Sequence, residues 1–256
     1  MKKKNKLPAV YLLPNLVTSA ALFCGFYSII TAVSGNYIES AVYILFAMIL
    51  DGLDGRVARM TNTQTSFGEY FDSLSDMLCF GVAPALLIYL SSLSMFSFGY
   101  LAKVSYIACF IYIASTAIRL ARFNSRNQST DKKYFIGLAS PAAAAILICY
   151  VWLLADLEVD ISSYVILTII LMVTLSILMI SNIGYISFKD VNLKQKVPYI
   201  MLFIISLIIS FISFDPPKVL FIFFLLYGLS GPSLYLIRRL RRNRISDSQY
   251  SSKNNQ

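Results

Sequence analysis

Long apolar stretches separated by short polar ones run along the whole chain. Eight of them, roughly residues 15–34, 38–56, 70–90, 100–122, 138–155, 161–180, 198–213 and 218–237, approach the ~20 predominantly apolar residues that a membrane-crossing helix needs. Polar residues do not alternate with apolar ones inside these stretches, which argues against the strands of a membrane barrel and predicts helices. The seventh, around Tyr199 to Phe214, is the shortest and suits a tilted or partly interfacial helix. The expected fold class is an all-α integral membrane protein with about eight transmembrane helices.

Composition supports that pattern and charge orients it. Hydrophobic residues make up 57% of the 256 positions and charged ones 14%, with a mean hydropathy of +0.68, far from a soluble domain. Twenty of the 22 Lys and Arg fall on alternate ends of the predicted spans, the exceptions being Lys103 and Lys218. By the positive-inside rule both termini, and the stretch from Asp51 to Asp76 where span two ends and span three begins, are then cytoplasmic and the number of spans is even. A bacterial inner membrane is the expected location. The net charge of +9 is carried by residues flanking the spans, so anionic lipid headgroups are the expected partner and nucleic acid is not. Cys24, Cys79, Cys109 and Cys149 stand singly in different spans and read as packing residues, with no disulfide or zinc site expected. The first apolar stretch is too long, and lacks the small-residue site, for a cleavable signal. The polar stretch 246–256 is expected to lack fixed structure.

The acidic residues change the picture from scaffold to chemistry. Of 13 Asp and Glu, five lie between positions 51 and 76: Asp51, Asp54, Glu69, Asp72 and Asp76. Ionisable side chains in a membrane region are costly and normally functional. Asp51 and Asp54 are spaced i, i+3, and Asp72 and Asp76 i, i+4, so each pair shares one helix face. The short connection 60–67 makes spans two and three an antiparallel hairpin, so four carboxylates are expected to converge on one cavity. A lone Asp near a helix start reads as a cap; four facing one another need cations between them. Oxygen-only ligation suits Mg²⁺ or Mn²⁺, and four carboxylates can hold two ions, as in phosphoryl transfer.

Gly52, Gly55 and Gly68 beside these carboxylates either let a ligand approach the backbone or let helices pack closely. Arg59, Arg119 and Arg122 are candidate partners for phosphate or carboxylate groups, and Arg119 stands out by lying inside an apolar run. The chain has no histidine. A general base must therefore come from a carboxylate, a lysine or a tyrosine, and a carboxylate at the metals is the simplest choice.

Asp51, Asp54, Gly55, Ala58, Arg59, Gly68, Asp72 and Asp76 fit the spacing D-x2-D-G-x2-A-R-x8-G-x3-D-x3-D. This pattern resembles the signature of the CDP-alcohol phosphatidyltransferases, integral membrane enzymes that make phospholipids. The resemblance implies that Asp51, Asp54 and Asp72 bind two metal ions, with Asp76 close to them and acting as the base. It implies that Gly55, Ala58, Arg59 and Gly68 line the site for the cytidine nucleotide and its diphosphate. Segments 13–18, 119–124, 135–144 and 181–189 are similar to the phosphatidylserine synthase branch of that family, with departures at Ala139, Gly184 and Ile186. On that likeness Asn15 and Thr18 join the CDP-lipid side, and Arg119, Arg122, Asn124 and Lys189 become candidates for holding the acceptor. CDP-diacylglycerol and L-serine are the implied substrates, and a homodimer the implied assembly. The implied organisation is a basic segment 1–14, a six-span catalytic core 15–190, two further spans 191–237 and a basic, polar tail 238–256.

Two other functions fit the same residues. The chemistry is unchanged if the acceptor is glycerol 3-phosphate or inositol phosphate, but the pocket then needs more cationic side chains. A divalent-cation transporter would use the carboxylates as an ion path. Against it, they lie at one membrane face and no inverted repeat or interrupted helix pair is visible.

Overall fold

The computed structural model describes residues 8–94, 99–126, 134–159, 161–186 and 199–253. Eight long helices occupy the eight apolar stretches: α1 Pro8–Val33, α2 Tyr37–Thr61, α3 Ser66–Leu93, α4 Tyr100–Arg126, α5 Ser140–Asp156, α6 Val165–Ile180, α7 Tyr199–Phe214 and α8 Pro216–Lys253. Among the described residues, four helical segments are long and apolar enough to cross a membrane: Leu12–Val33, Ser66–Leu93, Tyr100–Ser125 and Pro216–Ile237. The chain is thus an all-α membrane protein, and large apolar side chains such as Phe23, Phe26, Phe110, Ile166 and Phe203 point outward from it.

α5 is the centre of the fold. It is apolar around its whole circumference, as a helix surrounded by others must be, and every residue from Ala142 to Val151 is buried. α8 lies against it, with Gly228 facing Ile146. Next to that contact the ring of Tyr185 fills the space that a side chain at Gly231 would take, and its hydroxyl donates to the Gly228 carbonyl at 3.1 Å.

The α1–α2 and α2–α3 connections are written in the sequence. Gly35 takes φ +83° between α1 and α2, a conformation that costs glycine nothing. A buried hydroxyl pair, Ser28 and Ser40 at 2.8 Å, ties the two helices together below the turn. α2 stops at Asn62, which adopts the left-handed conformation at φ 48°, tolerated by Asn as a helix terminator. α3 then starts behind Thr65, whose hydroxyl accepts the Gly68 N–H at 3.0 Å, an N-cap. The α2–α3 hairpin expected from the spacing is therefore closed by only a few residues.

α3 departs from a regular helix. Ser66–Asp76 and Ala83–Ile88 are α-helical, but Met77–Val82 and Tyr89–Leu93 are π turns, which hydropathy does not reveal. Two three-residue strands were not expected either. β1 Tyr134–Ile136 and β2 Gly184–Ile186 pair antiparallel with Phe135 opposite Tyr185, and both are too short to show a period. α8 continues to Lys253, where positions 246–253 were expected to be unstructured. No Gly or Pro follows Pro232 within it to stop the helix. At the opposite end of α8, Lys218 binds Asp215 at 2.6 Å, and this hydrogen bond holds the Asp215 carboxyl below its usual range.

Candidate active site

The α2–α3 hairpin carries the acidic residues to one end of the helix bundle. Carboxylate oxygens of Asp51, Asp72 and Asp76 lie within 4.8 Å of one another, and the Asp76 and Asp51 carboxyls are within hydrogen-bonding reach. Asp54 is brought close but not into this group. Residues spaced i, i+3 diverge by about 60° around a helix, and Asp54 turns toward α1. There it is 4% exposed, and the Thr18 hydroxyl donates to its Oδ2 at 2.5 Å. Three of the four expected carboxylates thus form the cluster, and the fourth is held beside it.

These residues fit a divalent cation. The donors are all oxygen, the spacing is short enough for one ion to bridge, and Asp76 Oδ1 is buried with no hydrogen-bond partner. A buried acceptor left in that state normally has a ligand to satisfy it.

An open groove leads to the cluster. Pro14, Asn15 and Thr18 of α1 form one side; Asp54, Gly55 and Ala58 of α2 form another; Thr63, Gln64 and Thr65 of the connection and Gly68, Glu69 and Asp72 of α3 complete it. Five of the six residues expected on the nucleotide side therefore line it: Asn15, Thr18, Gly55, Ala58 and Gly68. Arg59 is exposed at its margin and folds back so that Nε donates to the Gly55 carbonyl at 2.9 Å. The glycines divide into two kinds. A Cβ on Gly52 or Gly55 would meet nothing within 4 Å, so neither serves helix packing. One on Gly68 would sit 3.3 Å from Asn15 Oδ1, where α3 passes close to α1.

The residues expected on the acceptor side have different surroundings. Arg119 is 9% exposed; Nη1 donates to Ser140 Oγ at 2.7 Å, and Nε is buried without a partner. Its guanidinium is near enough to Asp76, and to Tyr227 of α8, for direct electrostatic interaction. Arg122 is occupied by the fold: Nη1 donates to the Ile180 carbonyl at 2.8 Å, and Nη2 to those of Ile136 at 2.8 Å and Met179 at 3.0 Å. It thereby binds the end of α6 to β1. Gly137 makes room for this clamp, with φ +83° and the Met179 carbonyl only 2.3 Å from where a Cβ would be. Asn124 Nδ2 donates to Ser73 Oγ at 3.0 Å, joining α4 to the residue after Asp72. Lys189 lies outside the described residues.

Three contributions escaped the sequence reading. Ser140 starts α5 and fixes Arg119; its signals were its place in the segment 135–144 and at the head of an apolar run, neither of which gives it a role. Thr63, Gln64 and Thr65 line the groove and are signalled only by lying between the two acidic pairs. Tyr227 sits in the middle of the last apolar stretch and gives no signal.

The fold and site define a class: a helical membrane protein with an acidic cluster of suitable chemistry for a cation at the end of a groove between its first three helices. Residues 11–230 match the sequence profile of CDP-alcohol phosphatidyltransferase, and the chain belongs to that family. A protein of Helicobacter pylori (strain ATCC 700392 / 26695) named CDP-diacylglycerol–serine O-phosphatidyltransferase is 38% identical over 230 residues, covering 87% of this chain and 90% of its own length. One of the same name from Methanocaldococcus jannaschii is 34% identical, covering 82% and 90% respectively. The archaetidylserine synthase of Methanothermobacter thermautotrophicus is 33% identical, covering 72% and 74%.

Proposed function

We propose that this protein transfers the phosphatidyl group of CDP-diacylglycerol to L-serine, giving phosphatidylserine and CMP. The observation that carries this reading is the meeting of three carboxylates within 4.8 Å at a groove lined by the family's glycines. The three relatives named above, two for serine transfer and one for archaetidylserine, support serine as acceptor.

Asp51, Asp54, Asp72 and Asp76 would hold two ions, Mg²⁺ or Mn²⁺. Such ions neutralise a diphosphate and polarise its phosphoryl oxygens. Asn15 and Thr18 face the groove from α1 and orient the cytidine diphosphate, while Gly55, Ala58 and Gly68 leave room for it. Arg59 supplies positive charge at the margin. The acyl chains stay in lipid beside the groove. Asp76 takes the proton of the serine hydroxyl, whose oxygen attacks the phosphatidyl phosphorus in line, and CMP departs with the former bridging oxygen. Arg119, with Nε unused, holds the serine carboxylate; Arg122 and Asn124 brace that side, and Lys189 is a further candidate. A buried Arg fork binds a carboxylate in two places and rejects acceptors lacking one.

The protein works in this reading as a homodimer of eight-span chains in a bacterial inner membrane. Its catalytic core is 15–190, both termini and the active site are cytoplasmic, and 191–237 adds two spans. The experiment is CMP release from CDP-diacylglycerol by the purified protein, with serine, glycerol 3-phosphate and inositol phosphate offered in turn. Release with serine alone supports the reading, and release only with a phosphorylated acceptor overturns it.

A further inference from the structure

The element that carries Asp72 and Asp76 is a helix with a defect placed immediately after them. From Met77 to Val82 the chain makes a π turn, in which the Ala83 N–H bonds the Leu78 carbonyl five residues back. A π turn takes up one residue more than an α turn. The helix before it is therefore rotated by about 100° relative to an uninterrupted one. On the far side the helix is fixed, since Ala83, Ala85, Leu87 and Ile88 are each at most 1% exposed in the core. The rotation is thus expressed at the near side, where it turns the carboxylates of Asp72 and Asp76 toward Asp51.

Local chemistry explains why the turn sits there. Pro84 has no N–H, so the Phe80 carbonyl lacks the donor that an α-helix would give it four residues on. The missing donor comes from another helix: the Tyr112 hydroxyl of α4 donates to the Phe80 carbonyl at 3.0 Å. Both side chains are wholly buried. Close approach at this level is allowed by Gly81, where a Cβ would stand 3.2 Å from the Thr116 methyl. Tyr112, Thr116 and Arg119 follow one another at i, i+4 and i+7 along α4, so one face of α4 holds the turn and reaches Asp76.

We infer that Tyr112 is a positioning residue for the acidic cluster, acting through the π turn at Met77–Val82 that aims Asp76. The inference rests on the cation-site and transferase reading above, and adds to it a residue that touches neither ligand nor ion.

Its test uses two variants of the full-length protein in detergent, with Mn²⁺ binding followed by electron paramagnetic resonance alongside CMP release. Tyr112→Phe keeps the ring and removes only the hydroxyl. The expected result is a Mn²⁺ affinity at least five-fold weaker and a kcat about ten-fold lower, with the KM for CDP-diacylglycerol within two-fold. Pro84→Ala restores the N–H and lets the turn relax to α. It is expected to raise the unfolding midpoint yet weaken Mn²⁺ binding, a combination that a merely structural role does not produce. Wild-type Mn²⁺ affinity in both variants overturns the inference, as does a loss that only follows the unfolded fraction. If the wild-type protein binds Mn²⁺ but releases no CMP with serine, the proposed reaction fails while the Mn²⁺ comparison still judges Tyr112.

Discussion

Asp76 has a buried oxygen with no hydrogen-bond partner and faces both Asp51 and Arg119. Those surroundings suit a base that receives a proton during turnover. Asp76→Asn is expected to lower kcat by about 10²- to 10⁴-fold, the usual size of a general-base contribution, with nucleotide binding retained in an equilibrium binding assay. The two arginines separate just as cleanly. Arg119→Lys keeps the charge but loses the planar fork, so the KM for serine should rise about ten-fold with little change in the KM for CDP-diacylglycerol. Arg122→Lys removes donors from backbone carbonyls, and the expected effect is on stability, about 1–3 kcal/mol, read as a lower unfolding midpoint with the serine KM nearly unchanged. Sequence could point to both arginines through their place at the end of an apolar run. It set Arg119 apart by its place inside the run but could not assign their roles, because those depend on Ser140 on one side and the carbonyls of Ile136, Met179 and Ile180 on the other. These partners come from segments remote in the chain.

Helices announce themselves by hydropathy, and all eight were legible for that reason; irregularities within them were not. The π turns of α3 and the Arg122 clamp depend on tertiary partners, and the two short strands carry no period. Spacing in sequence was likewise a good guide to which carboxylates share a face, but the Thr18 hydroxyl decided that Asp54 would lie outside the cluster. The glycines of different elements offer a sharp comparison. Gly55→Ala introduces a methyl into open space and should leave stability equal or up to about 1 kcal/mol higher, because Ala favours helix; activity should still fall, since that space is where the diphosphate is expected. Gly231→Ala drives a Cβ to 2.3 Å from the Tyr185 ring. It should cost about 1–3 kcal/mol through overpacking between α8 and β2, with a lower unfolding midpoint in detergent. Full activity in Gly55→Ala would move the nucleotide out of the groove.

At the scale of the whole molecule, an all-α membrane scaffold brings a cluster that pure lipid could not tolerate to one end of the bundle, where an open groove reaches it. The charge asymmetry of the chain predicts which side that end faces. Reporter fusions at positions 1 and 256 should both fold and fluoresce as cytoplasmic proteins; a C-terminal fusion exported across the membrane would reverse the assigned topology. The central claim is that this end of the molecule performs serine-dependent phosphatidyl transfer assisted by a divalent cation. Its most direct test is CMP formation by the purified protein with CDP-diacylglycerol, with and without L-serine, and with Mg²⁺ or Mn²⁺ added or chelated. The predicted result is CMP release that requires both serine and a divalent cation. Cation movement across sealed vesicles with no CMP formed under any of these conditions would contradict it.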